Sequence, residues 1–218
     1  ASASMCTDTT KRIKICVEHQ DAAKDFTVIA DPELTLTLPP HLTAWTGMDA
    51  FTHAFEALCV DMYHPMCDGI ALESMRLIKD WLPVVFADGG NLEGRSQMMA
   101  ASSMAAVAFN KGLGATHGLS EPIGAVANTQ HGLTNAVILP FVIRANKAAI
   151  VDKCELVARY LGLPDPPNSY RAPGLNPGFE KICYFVDTLL EHLQIPNSLR
   201  AMKLDEDLAA ECAVKAFR

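Results

Sequence analysis

The sequence predicts a mainly α protein, a multi-helix bundle preceded by a short β-containing segment. Three observations carry that expectation. Beyond residue 40, apolar residues recur at helical spacing through most of the chain. Ahead of that point lie short β-prone runs, closed off by the adjacent prolines Pro39 and Pro40. The chain has 218 residues, half of them apolar, enough to bury a substantial core in one large domain or two small ones.

Taken in order, residues 13–17 and 26–30 are the β-prone runs, separated by the polar stretch EHQDAAKD. DPELTLTLPP then stops any strand or helix at its two prolines. Residues 47–60 place Met48, Phe51, Phe55 and Leu58 at helical spacing. Residues 68–86 form a second helix through Ile70, Leu72, Met75, Leu77, Ile78 and Leu82, which Pro83 kinks or ends. After the turn ADGGN, residues 92–110 make a third helix rich in Ala, Ser and Met. Its small side chains let neighbours approach closely, so residues 100–108 are expected at the centre of the bundle. Residues 112–127 are interrupted by Gly and Pro. Residues 133–149 and 150–161 are two helices or one bent one. LPDPPNSYRAPGLNPG, with five prolines, reads as an irregular surface loop. Residues 179–193 and 205–217 are two more amphipathic helices, the last capped by Asp205 or Asp207.

The formal charge of −7 argues against nucleic acid or an anionic membrane as the main partner, since both need basic patches. No apolar run reaches the ~18 residues of a membrane span. ASASMCTDTTKRIKI has no apolar signal core, which argues against secretion. It also lacks an initiator Met, and the closing AVKAFR stops in a helical pattern, so both ends read as cut from something longer. The seven cysteines are odd in number and show no C-x-x-C spacing. A zinc ribbon or disulfide scaffold is therefore not expected, and the thiols imply a reducing compartment, cytosol or organelle matrix. Most are expected to be small buried hydrophobes.

The chemistry concentrates in two stretches. TGMDAFTHAFEAL carries Asp49 and His53 four residues apart, so they share a helix face, and Glu56 continues that stripe. GLGATHGLSEPIGAVANTQHGLTNAVILP carries His117 and His131 among small residues. The Asp-His pair alone is more often a solvated ion pair, and either later histidine alone more often a satisfied core residue. Together, three imidazoles and a carboxylate are a complete ligand set for a divalent transition metal, Fe(II) or Zn(II). Such a site leaves positions open where an alcohol or carbonyl oxygen can bind, chemistry suited to hydride transfer with a nicotinamide cofactor. Gly112, Gly114 and Gly118 do not match a dinucleotide fingerprint. Ser102 and Ser103 lie mid-helix, and His19, His41, His64 and His192 stand in polar or loop contexts; none is assigned a function. A two-metal bundle using Asp49, His53, His117 and Glu121 is a further reading, weakened by the absence of paired Glu-x-x-His motifs.

These two stretches, with DPELTLTLPP before them, resemble the iron-containing (group III) alcohol dehydrogenase family over most of residues 30–146. The resemblance implies a dehydroquinate synthase-like C-terminal helical domain over residues 41–218. Residues 1–40 would then be a remnant of the end of the cofactor-binding domain and its linker. It implies Asp49, His53, His117 and His131 as metal ligands and NAD(P)-linked interconversion of alcohols and aldehydes in the cleft between the two domains. Glu56 would orient the ligands without binding metal. Two departures stand out. The family's Gly-Gly-x-Ser-x-x-Asp cofactor signature is absent, so NAD(P) would bind only where a cofactor domain is present. Glu121 stands where the family usually has an active-site histidine; as a carboxylate it would disfavour an alkoxide, accept a proton or become a fifth ligand, unless the site is no longer catalytic. A non-catalytic metal-binding or assembly subunit is the alternative function. Expected partners are a small-molecule alcohol or aldehyde, and a second copy or another chain covering the exposed cleft face.

Overall fold

A computed structural model of the chain describes residues 3–18, 27–171, 174, 176–202 and 204–216. It opens with an antiparallel hairpin, β1 (Ala3–Asp8) and β2 (Ile13–Glu18), in a register that sets Cys6 opposite Ile15. The turn is made locally. Asp8 Oδ1 accepts from the N–H groups of Thr10 (2.9 Å) and Lys11 (3.0 Å), and Arg12 takes a left-handed φ of 52°. The run 13–17 is thus a strand as expected, whereas β1, the mixed stretch ASMCTD without β-branched apolar residues, has no counterpart in the sequence expectation. The strand expected over 26–30 does not form in its described part, residues 27–30. Among the described residues no neighbouring backbone pairs with that stretch, and Val28 and Ile29 point into solvent, 71% and 85% exposed.

The helices follow: α1 (Pro40–Cys59), α2 (Pro65–Ala87), α3 (Leu92–Ala108), α4 (Ala115–Ala127), α5 (His131–Ala145), α6 (Lys147–Tyr160), α7 (Pro177–His192) and α8 (Glu206–Ala216). The prolines within the α-helices divide into two kinds. Pro40, Pro65 and Pro177 open helices, where a missing N–H costs nothing. Pro83, Pro122 and Pro140 lie inside α2, α4 and α5, which continue past them. The interruption expected in 112–127 therefore sits before α4, where Gly112 (φ 129°) ends the short turn Phe109–Lys111 that closes α3. Helices α5 and α6 are separate and bend by 110° at Asn146. Asp205 caps α8, its Oδ1 accepting from Leu208 N at 2.9 Å.

Helix α1 is the centre, packed by α2, α3 and α5. Its Met48, Phe51, Phe55 and Leu58 enter one large core with Met75, Ile78 and Leu82 of α2, Val137 and Ile143 of α5, and Ile182 and Val186 of α7. Of the α3 alanines, Ala101, Ala105 and Ala108 are fully buried, while Ala100 and Ala106 face outward. A second, smaller cluster of Ile123, Ile138, Leu204 and Cys212 seats α8 on α4 and α5. The buried Arg95 guanidinium ties the entry to α1, donating to Thr43 Oγ1 (2.8 Å) and to the carbonyls of Leu38 (3.2 Å) and Gly89 (2.9 Å). Cys67, Cys154, Cys183 and Cys212 are buried, and among the described residues no disulfide forms. Among them, too, no single helix is long and apolar enough to cross a membrane.

Candidate metal centre

Three helices converge on one point. Helix α1 carries Asp49 and His53 on successive turns, α4 carries His117 in its first turn, and His131 is the first residue of α5. One ligand atom from each of these four residues lies within 4.8 Å of all the others. Bonds of about 2.0–2.2 Å to a shared ion place ligand atoms within roughly 4.4 Å of one another, so the donor set fits a divalent transition metal with slight closure. Asp49 Oδ1 is 3.6 Å from Nε2 of both His117 and His131. The His53 and His117 rings stack at 4.6 Å, and Phe109 walls the far side of His53 at 5.0 Å. His117 is buried, whereas the His131 side chain is 40% exposed and marks the open side.

Close backbone approach makes the convergence possible. A Cβ on Gly132 would collide with the Trp45 carbonyl oxygen, so only glycine lets α5 reach α1 and bring His131 to Asp49. Gly114 likewise leaves room for Glu56, whose Oε1 would lie 2.8 Å from an added Cβ.

Glu56, buried on α1, has two tasks. Helix α4 has no side-chain cap of its own at Gly114. Instead the Glu56 carboxylate accepts from the N–H groups of Gly114 (3.1 Å), Thr116 (2.6 Å) and His117 (3.4 Å), capping α4 from another helix. It also lies 2.7 Å from His117 Nδ1. That contact puts a hydrogen on Nδ1 and turns Nε2 toward the centre, an arrangement typical of histidine ligands.

Burial and charge set the protonation states. Burial pushes His53 down to about 4, against the pull of Asp49. His131 is lowered for the same reason. Burial alone would raise Asp49, but its contact with His117 and the neighbouring His53 and His131 hold it below its ordinary value. Glu56 is lowered because its hydrogen bonds to His117 and Thr116 outweigh burial. His117 is raised, since Asp49 and Glu56 together overcome its burial. At Nε2, however, the Asn135 amide N–H at 3.0 Å is closer than Asp49 at 3.6 Å and opposes a proton there. Two neutral imidazoles and an ionised carboxylate therefore already stand in the states a metal requires.

Asn135 was missed by sequence reasoning. Its spacing is informative, one helical turn after His131, the same interval that joins Asp49 to His53. It is fully buried. Its Nδ2 lies 2.6 Å from Asp49 Oδ1, 3.0 Å from His117 Nε2 and 3.1 Å from His131 Nε2. Glu121 is half-buried on α4, outside the four-donor cluster, with its charge reaching His131. Among the unassigned histidines, His64 caps α2, its Nδ1 accepting from Cys67 N at 3.2 Å, and His41 packs edge-on to Trp45. His192 lies near Phe86, and His19 falls outside the described residues.

Comparison with known proteins gives one consistent picture. The profile of the Fe-containing alcohol dehydrogenase family, C-terminal, matches residues 43–218. The chain is 37% identical over 162 residues to an NAD-dependent methanol dehydrogenase of Bacillus methanolicus, covering 74% of this chain and 42% of that protein. It is 32% identical over 219 residues to an NADPH-dependent butanol dehydrogenase of Clostridium saccharobutylicum, covering 97% and 54%. Among solved structures, a 1,3-propanediol oxidoreductase superposes with a TM-score of 0.87 at 32% identity, over 99% of this chain and 55% of that one. The chain thus spans about half the length of the relatives it matches.

Proposed function

The chain belongs to the iron-containing alcohol dehydrogenase family, and we propose that it supplies the metal centre and one wall of the active site of an NAD(P)-linked alcohol/aldehyde oxidoreductase. The observation that carries this reading is the convergence of Asp49, His53, His117 and His131, with Glu56 holding His117 Nδ1. These four residues would hold Fe(II) or Zn(II); the mixed oxygen and nitrogen set suits both. When bound, the metal supplies a Lewis acid for the alcohol or carbonyl oxygen, and NAD(P) supplies the hydride chemistry. The chain's own residues do the positioning. Glu56 fixes the His117 ring, His131 borders the open side where substrate would enter, and Phe109 shields His53 from solvent. The exposed Val28, Ile29 and Leu34 ahead of α1 would be covered by a cofactor-binding domain, to which residues 1–40 would belong. Glu121 serves as a charge beside His131 and not as a ligand.

Elemental analysis after anaerobic purification tests this. The expected result is near one iron or zinc per chain in the parent and in Glu121→Gln, with loss in His131→Ala. Metal retained by His131→Ala would refute the ligand set, and loss in Glu121→Gln would make Glu121 a ligand.

A further inference from the structure

Asn135 presents more hydrogen-bonding contacts to the centre than a metal-loaded site can keep. Its Nδ2 carries two hydrogens and lies within 3.1 Å of Asp49 Oδ1, His117 Nε2 and His131 Nε2, the last two being acceptors in the tautomer with the ring hydrogen on Nδ1. The two hydrogens serve Asp49 and one imidazole at a time. Without that donor, the lone pairs of the part-buried Asp49 carboxylate, the buried His117 ring and the more open His131 ring would face one another with fewer partners. A metal ion claims the same imidazole lone pairs, and the Asn135 contacts to them are then lost. Only the bond to Asp49 survives, because a carboxylate oxygen has a second lone pair. The amide also stays here although its own Oδ1 is buried with no partner among the described residues, so its donor side is what the pocket uses.

We propose that Asn135 is the place-holder of the metal centre, a buried amide that holds the donor set together before metal arrives and competes with it for two imidazoles. It is a positioning residue, acting through Asp49, His117 and His131. This inference rests on the metal-site reading above and goes beyond it, since it assigns the metal-free state its own stabilising residue and makes that residue lower the affinity.

The test is thermal unfolding of the 218-residue chain at pH 8, stripped of metal and then loaded with Zn(II) alone, for the parent and Asn135→Leu. Losing up to two hydrogen bonds, the one to Asp49 part-buried, should lower Tm of the metal-free variant by about 3–6 °C. The loaded variant should fall by less, so the rise in Tm on adding Zn(II) is larger in Asn135→Leu than in the parent. Equal falls in both states would make Asn135 a packing residue, and a smaller rise would make it a servant of the loaded site; either overturns the proposal. Asn135→Asp keeps the size and replaces the donor by an acceptor beside Asp49, so it should raise the increment further, and an unchanged increment refutes the place-holder even where the leucine variant does not fold. Absence of any Zn(II)-induced rise in the parent would sink the metal-site reading itself, and the place-holder with it, an outcome distinct from the others.

Discussion

Helix α1 has two buried faces that follow different rules. One carries Met48, Phe51, Phe55 and Leu58, all at most 2% exposed, into the apolar core. The other carries Asp49, His53 and Glu56 to the junction of α4 and α5. The apolar face is non-directional: its contribution scales with area and packing, and many apolar residues of similar size would serve. On the polar face each atom is fixed by named partners. The Glu56 carboxylate there has four hydrogen-bonding contacts, each restricted in length and angle. The core face therefore sets how stable the molecule is, and the polar face sets where four ligand atoms stand.

The sharpest way to break that separation is Phe51→Ala. Phe51 stacks on Phe55 at 6.2 Å and meets Phe185 of α7 at 5.8 Å. Its truncation should cost about 3–5 kcal/mol in denaturant unfolding, by lost burial plus the cavity left behind. Metal-free and metal-loaded forms should lose the same amount, leaving metal affinity within about twofold of the parent, as expected where the core face and the ligand face of α1 meet only through its backbone. A tenfold loss of affinity would show that the core face places the ligands after all.

Glu56→Gln probes the other face. It keeps the size but removes the charge that caps α4 and orients His117. Metal affinity, measured by competition with a chelator, should fall about 10- to 100-fold, the usual cost of losing a partner that orients a ligand. The fall in Tm should be smaller than for Phe51→Ala. Unchanged affinity would reduce Glu56 to a helix cap.

The same contrast explains what could be read from the sequence. The apolar face was legible from periodicity, and Asp49 with His53 from their spacing of four, because both signals are local to one helix. That Glu56 follows them on the stripe was legible too. Its capping of α4 was not, since Gly114 and His117 are 58 and 61 residues away and only tertiary packing brings them together. Asn135 has the same local signal as His53 but is not a usual metal-ligand type, so a search by ligand type passes over it. Proline chemistry alone predicts a kink or stop at Pro83 and an interruption around Pro122, yet packing on both sides carries α2 and α4 through them. β1 escaped because ASMCTD has no apolar alternation, and its pairing comes from a turn set by Asp8.

The last effect is smallest at neutral pH and grows on acidification, and it separates the two faces again, because only the polar face titrates. Burial lowers His53 to about 4 from its ordinary 6.5, so the folded chain resists the proton that the unfolded chain accepts. Between those values the unfolded state binds more protons, and stability falls as pH falls. The contribution is fully present above 6.5 and lost progressively as pH drops through about 4. His131, also lowered, acts in the same direction. Asp49 and Glu56, held below ordinary carboxylate values, add their own loss at still lower pH. Tm of the metal-free chain should therefore decline on acidification from 6.5 toward 4, and His53→Gln, neutral throughout, should flatten that limb while Phe51→Ala lowers the whole curve without changing its slope. An acid limb of equal steepness in His53→Gln would mean that His53 takes up its proton in the folded chain as readily as in the unfolded one, and that burial on this face of α1 is shallower than its packing against Phe109 and His117 indicates.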